Sequence, residues 1–259
     1  MSTGRPRNVV VAGGSGPSGI AAARALRNAG HTVFTVGSDR PRIESAAREA
    51  GSGVTPLVCD LADLADVRSL YTTVHARLAE TGGSVDGVIH LVGGWRGAKG
   101  ITDQSDEDWE FLERGAVTTL RNVTRVFYDD LAASDAGRFA MVSSTAAGKP
   151  TAGGASYAAA KAAAEAWTLA VADGFSRGQA GAAGAGTDAV AVEQRSAAVI
   201  FLVKALVDAG MRAKSPERRF PGFTDVEDLA AAAVGLFTSP AAELNGQRLR
   251  LNPESSSGA

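Results

Sequence analysis

"NVVVAGGSGPSG", Asn8–Gly19, decides how the rest of the chain is read. A short apolar run suited to a buried strand enters a glycine-rich turn, and Pro17 then opens an alanine-rich segment that ends at Gly30. Proline suits the first helical turn because its missing N–H would be unpaired there anyway, and glycine suits the helix end. Gly14, Gly16 and Gly19 satisfy GxGxxG, while Gly13, Gly16 and Gly19 satisfy GxxGxxG. Such glycines let the backbone turn sharply and approach a pyrophosphate, whose charge meets free N–H groups at the helix start. A plain tight turn would carry some of the same residues. The strand before and the helix after favour a dinucleotide site, to which Gly13, Ser15, Gly16, Pro17 and Gly19 are assigned.

Outward from this unit, β-branched runs alternate with longer alanine-rich segments, the pattern of repeated β-α units on a parallel sheet. Strands are predicted over residues 8–12, 31–36, 55–59, 87–92, 138–143, 197–203 and 247–251. Helices are predicted over 17–29, 41–50, 64–80, 106–131, 154–175 and 225–238. The strands are continuously apolar, as expected when helices cover both faces of a sheet. The expectation is an α/β fold: a single doubly wound domain over residues 1–259 with a parallel sheet of about seven strands. Residues 178–189, "GQAGAAGAGTDA", read as a flexible low-complexity connection. Residues 204–223 read as irregular and basic, either a substrate lid or an ordinary surface loop.

The bulk numbers narrow the function classes. A chain of 259 residues with 45% hydrophobic residues can bury a sizeable core. Its net charge of −2 provides no global basic field for nucleic acid or an anionic membrane surface. One cysteine, Cys59, forbids an internal disulfide and a multi-cysteine zinc site. His31, His75 and His90 are scattered without carboxylates at ligand spacing, so no metal is expected. No secretory signal and no apolar stretch of about 20 residues is seen, and a cytoplasmic setting is expected.

Cofactor type is read at the end of the second strand, where "VGSDRPR" places Ser38, Asp39, Arg40 and Arg42. A hydroxyl with nearby guanidinium leans toward NADP(H), because arginine matches a phosphate in charge and fork geometry. If Asp39 points inward it repels that phosphate and favours NAD(H), and the arginines are then solvated surface charges.

Further on, "SSTAAGKPTAGGASYAAAKAAAEAW", Ser143–Trp167, places Tyr157 one helical turn before Lys161. Tyr157 either anchors helix packing or exchanges protons. A free phenol has a pKa of about 10, and a nearby ammonium favours phenolate and lowers it.

With these residues in view, the chain resembles the short-chain dehydrogenase/reductase family, whose single Rossmann-type domain carries both cofactor and catalytic groups. The likeness rests on "AGGSGPSG", "CDL" at Cys59–Leu61, the paired serines, "YAAAK" and "ELNGQRLRL". Ser144 stands 13 residues before Tyr157, at the family's serine spacing, with Ser143 and Thr145 as neighbouring alternatives. The resemblance implies that Ser144 steadies a substrate carbonyl oxygen and Tyr157 protonates it. Lys161 then lowers the tyrosine pKa and holds the nicotinamide ribose. It also implies that Asp60 meets the adenine amino group, Leu61 lies near the adenine, and Leu91, Val92 and Gly93 pass beneath a ribose. A homodimer or homotetramer through the helices after strands four and five is implied too.

Three departures from the family pattern stand out. "HLVGG" replaces an Asn-Asn-Ala-Gly loop, Ala116 occupies the slot of a catalytic asparagine, and Lys204-Ala205 replaces a Pro-Gly. The leading expectation is an NAD(P)(H)-dependent carbonyl reductase or alcohol dehydrogenase acting on a small molecule. A dinucleotide-binding regulatory or scaffold protein with weakened catalysis is the alternative. Trp95 is a candidate pocket wall and Arg96 a candidate anion ligand, while Trp109 and Trp167 are expected to pack.

Overall fold

The computed structural model describes residues 5–79, 83–181 and 193–251. The chain runs β1 (Asn8–Ala12), α1 (Pro17–Asn28), β2 (Thr32–Gly37), α2 (Arg40–Ala50), β3 (Val54–Val58) and α3 (Leu64–Leu78). It returns through β4 (Gly87–His90), α4 (Asp106–Glu113), α5 (Thr119–Ala133), β5 (Arg138–Ser144), α6 (Ala155–Gly181) and β6 (Ala197–Val203). The final part holds β7 (Leu206–Val207), α7 (Ala209–Lys214), β8 (Thr224–Asp225), α8 (Val226–Gly235), α9 (Ala241–Leu244) and β9 (Arg248–Arg250).

Seven strands form one sheet in the order β3-β2-β1-β4-β5-β6-β9, with every pairing parallel. This is the expected doubly wound, Rossmann-type α/β architecture. Period-2 alternation splits the core into two layers. Val10, Phe34, Phe127, Phe139 and Phe175 pack on one face, and Val9, Val11, Leu26, Ile89 and Phe201 on the other. Each fully buried side chain of this kind contributes about 1.5–3 kcal/mol. Aspartates set several helix starts: Asp39 accepts the Arg42 N–H, Asp63 those of Ala65 and Asp66, and Asp225 that of Glu227.

The strand order reverses between β1 and β4, so the loops leaving their carboxyl ends diverge and open a crevice. The opposite, amino edge is closed by Arg138. Its buried guanidinium donates to four carbonyls: Leu236 (2.6 Å), Gly137 (2.9 Å), Arg195 (2.8 Å) and Ser239 (3.0 Å). Burial lowers its pKa to about 10.

Two expectations need correction. The helix predicted over 106–131 is interrupted: residues Arg114–Thr118 form a π turn between α4 and α5. The 204–223 segment is not wholly irregular, since it contains β7, paired in parallel with β8, and the short helix α7. Of the 178–189 connection, the first residues continue α6 to Gly181 and the remainder lies outside the described residues, as does Glu80. Among the described residues no helix is long and apolar enough to cross a membrane, and no cluster of three or more metal-ligating side chains occurs.

Candidate active site

The turn after β1 is dictated by close approach. Gly13 adopts φ +87°, and a Cβ there would meet the Leu91 carbonyl carbon at 2.8 Å. A Cβ on Gly19 would meet the Gly13 carbonyl oxygen at 2.5 Å, so α1 can pack on the loop only without one. Gly16 differs: nothing lies within 4 Å of its Cβ direction, and it caps α1 with no side-chain hydrogen bond, Pro17 following. The helix therefore presents free N–H groups to open space. The Ser15 hydroxyl beside them is buried with no partner. A glycine cradle, uncapped N–H groups and an orphaned hydroxyl together fit a dinucleotide pyrophosphate.

A cleft of about 660 Å³ extends from this loop past the ends of β2 and β3, lined by Ser38, Asp39, Arg42, Cys59, Asp60 and Leu61. The Asp39 carboxylate is turned to its own helix, accepting the Arg42 N–H at 2.8 Å. Arg40 is exposed and pairs with Glu44 at 3.5 Å; Arg42, and not Arg40, lines the cleft. Asp60 accepts the Ala62 N–H at 3.0 Å and pairs with Arg114 at 2.6 Å across the cleft. The Leu61 carbonyl accepts from the buried Asn122 amide at 3.2 Å, a brace that the sequence reading did not assign. Burial, with Asp66, Asp60 and Asp63 nearby, pushes the Cys59 thiol up to about 12, leaving it an inert wall.

A second cleft, about 860 Å³, shares Ser18, Leu91, Val92 and Gly93 with the first and is walled by Ser144, Tyr157 and Lys161. Ser144 ends β5 and accepts the Ala146 N–H at 3.2 Å, and its own O–H is directed to the Tyr157 phenol. Burial raises the Tyr157 pKa, and a hydrogen bond with Ser144 opposes that rise. Lys161, one turn along α6, is buried and donates to the Val142 carbonyl at 2.9 Å. Its ammonium stands 6.0 Å from the Tyr157 ring centroid, a neighbour of the phenol. Burial lowers the Lys161 pKa to about 8, with Glu165 acting the other way. Ser143 and Thr145 are differently engaged. Ser143 donates to Glu165 at 2.5 Å, and that carboxylate also takes the Arg248 guanidinium at 2.7 Å; Thr145 lines an adjoining cavity.

Between the two clefts lies the π turn. Its geometry sends the Thr119 N–H to the Arg114 carbonyl, so the Gly115 carbonyl loses its ordinary helical donor. The Thr119 hydroxyl replaces it, donating to that carbonyl at 2.7 Å, and His90 Nε2 lies 3.0 Å from the same hydroxyl. Because that hydroxyl proton is committed, the imidazole donates to Thr119 as a neutral ring. Burial, then the Lys161 charge, lowers the His90 pKa to about 3 and keeps it neutral. Ala116 thus sits in a distorted helix that its own side chain does not cause. The signal available in the sequence was Gly115 with Thr119 four residues on.

Of the remaining candidates, Trp95 lines the second cleft with 71% of its surface exposed. Arg96 stacks on Phe111 at 4.5 Å and pairs with Asp108 at 3.6 Å, away from the cleft lining. Trp167 is anchored by a 2.9 Å bond to Thr124, whereas Trp109, expected to pack, is 41% exposed.

A family model described as short chain dehydrogenase matches residues 7–179. No curated protein matches the chain. Among solved structures, an apo short chain oxidoreductase from Pseudomonas aeruginosa, described as containing an atypical catalytic center, superposes with a TM-score of 0.78 at 19% identity, covering 98% of each chain. A Shigella flexneri protein complexed with NADP gives 0.75 at 20% identity over 95% of this chain and 96% of its own. An NAD+-bound xylitol dehydrogenase gives 0.76 at 17% identity over 97% and 99%. At such identities the likeness is one of fold.

Proposed function

The chain belongs to the short-chain dehydrogenase family, and on that premise we propose that it is an NAD(P)(H)-dependent oxidoreductase reducing a carbonyl, or oxidising an alcohol, on a small organic substrate. One observation carries the reading: a donor hydroxyl, a half-buried phenol and a buried ammonium wall a cleft continuous with the glycine cradle.

Ser144 donates a hydrogen bond from its hydroxyl to the substrate oxygen and steadies the charge developing there while keeping its proton. Tyr157, kept protonated by burial, delivers the proton that makes the alcohol. Lys161 supports the phenolate left behind through proximity and charge. In the reverse direction Tyr157 receives the alcohol proton. The cofactor, when bound, supplies or accepts the two-electron equivalent. Gly13, Ser15, Gly16, Pro17 and Gly19 would hold its pyrophosphate, with Asp60 and Leu61 on the adenine side, Leu91, Val92 and Gly93 beneath a ribose, and Lys161 on the nicotinamide ribose. Ser38 and Arg42, beside an Asp39 carboxylate turned to its own helix, favour NADP(H), with NAD(H) as the alternative.

We take residues 1–259 as one domain in which 204–223 serves as a substrate lid, and expect a cytoplasmic location. The exposed alanines 159, 162, 163 and 166 on α6 support assembly into a homodimer or homotetramer. Light scattering at micromolar concentration should show more than a monomer; a monomer removes that expectation. The regulatory alternative is not favoured, because Thr119 and His90 restore order to the region whose departures suggested it.

Tyr157→Phe tests the assignment directly. Turnover should fall about 10²–10⁴-fold while cofactor affinity, measured by fluorescence titration, changes only slightly. Unchanged turnover refutes it.

A further inference from the structure

Resting on the carbonyl-reductase reading, we propose that the substrate cleft selects a carbonyl compound bearing an anionic group, a carboxylate or a phosphate ester, on an apolar body. The charged residues lining the cleft are Lys161, Lys149, Lys204 and Arg218, and no aspartate or glutamate joins them among the described residues. The chain as a whole carries a net charge of −2, so this local excess runs against the global balance. Lys161 belongs to the reacting centre. The other three come from separate segments: the loop after β5, the turn after β6, and the loop between α7 and β8. Their convergence therefore does not follow from one basic run on one element.

None of these three forms an ion pair among the described residues. Lys204 donates to the Pro221 carbonyl at 3.0 Å and stands 5.8 Å from the Phe223 ring, and Arg218 lies 5.0 Å over Phe220. Those contacts orient the cations without neutralising them. Other arginines nearby are matched: Arg96 by Asp108, Arg114 by Asp60, Arg248 by Glu165. The adjoining cavity shares Lys149 and Lys204 and adds Arg250, its carboxylate Glu165 being already bonded to Ser143 and Arg248, so the positive surface continues outward. In the same cleft Trp95 and Phe223 offer apolar surface. Unpaired cations converging on a concave site concentrate anionic ligands and orient them. With the carbonyl at Ser144 and Tyr157, the negative end of the substrate lies toward the mouth.

The test uses the cofactor-saturated full chain and a medium-chain methyl ketone ending in carboxylate, phosphate monoester, methyl ester or trimethylammonium. The kcat/KM values for carboxylate and phosphate should exceed that for the ester by about tenfold, with the trimethylammonium lowest. Their mutual rank identifies which anion is preferred. In the double variant Lys149→Ala/Arg218→Ala the anion-to-ester ratio should fall toward one, as it should for the wild type in high salt; a merely structural effect would lower all substrates alike. Equal rates for carboxylate and ester overturn the proposal and leave the reductase reading standing. If no ketone is turned over, the reductase reading fails, and calorimetric titration with octanoate and 1-octanol still decides charge selection. Tighter octanoate binding upholds it; equal binding sinks it.

Discussion

On the β1–β3 side of the crevice the groups facing a ligand are largely backbone: the N–H groups at the start of α1, framed by glycines that leave room for approach. On the β5–α6 side they are side chains, the buried Ser144 and Lys161 and the half-buried Tyr157, with the phenol pushed up and the ammonium brought down to about 8. Backbone recognition needs space and a helix end; proton transfer needs groups whose acidity the fold has moved. The first side holds a ligand at any ordinary pH, while the second works only within a window.

That contrast breaks most visibly at Lys161. Lys161→Met should lower kcat by about 100-fold or more. In the wild type, carbonyl reduction should decline as pH rises through about 8, where the ammonium is lost, and the variant should lack that limb. Stability should move the other way. Between about 8 and its ordinary 10.5 the unfolded lysine keeps a proton that the folded one has released, so this group adds stability as pH rises. Paired rate and urea-unfolding profiles check both signs; parallel movement would break the comparison. A smaller effect is expected where the two sides meet. Thr119→Val keeps the shape but strips the donor from Gly115 and the acceptor from His90, costing about 1–3 kcal/mol in urea unfolding. The smallest sharpens the backbone side, where one side chain sets cofactor choice. Arg42→Ala should reduce the NADPH-over-NADH preference about tenfold in titrations, and Arg40→Ala should shift it less.

The legible parts were those whose cause is local. Gly13, Gly16, Gly19 and Pro17 announce a strand–turn–helix because only such residues relieve the contacts there. Continuous apolar runs announced strands buried on both faces. What stayed hidden depends on groups distant in sequence or on helix phase. The π turn carries no mark at Ala116; it shows in a hydroxyl that reaches one turn back and an imidazole 29 residues away. Arg40 and Arg42 are adjacent in pattern, but the Asp39 cap fixes the phase that sends one to Glu44 and the other to the cleft. Lys161 is expected from the resemblance to act on the phenol and the nicotinamide ribose, and its bond to the Val142 carbonyl carries no mark in the sequence.

The guanidinium at the far edge of the sheet has a dynamic consequence. Four carbonyls from three stretches of chain satisfy one buried cation, and among the described residues no carboxylate shares the task. Pulling β6 or the end of α8 away would strand that charge in a dry place, so neither can breathe separately from β5. Lysine could not substitute, lacking the planar fork that reaches several acceptors at once. With that rim riveted shut, opening and closing are left to the opposite rim, where the loops around Trp95 and Lys204 can flex without tearing the core.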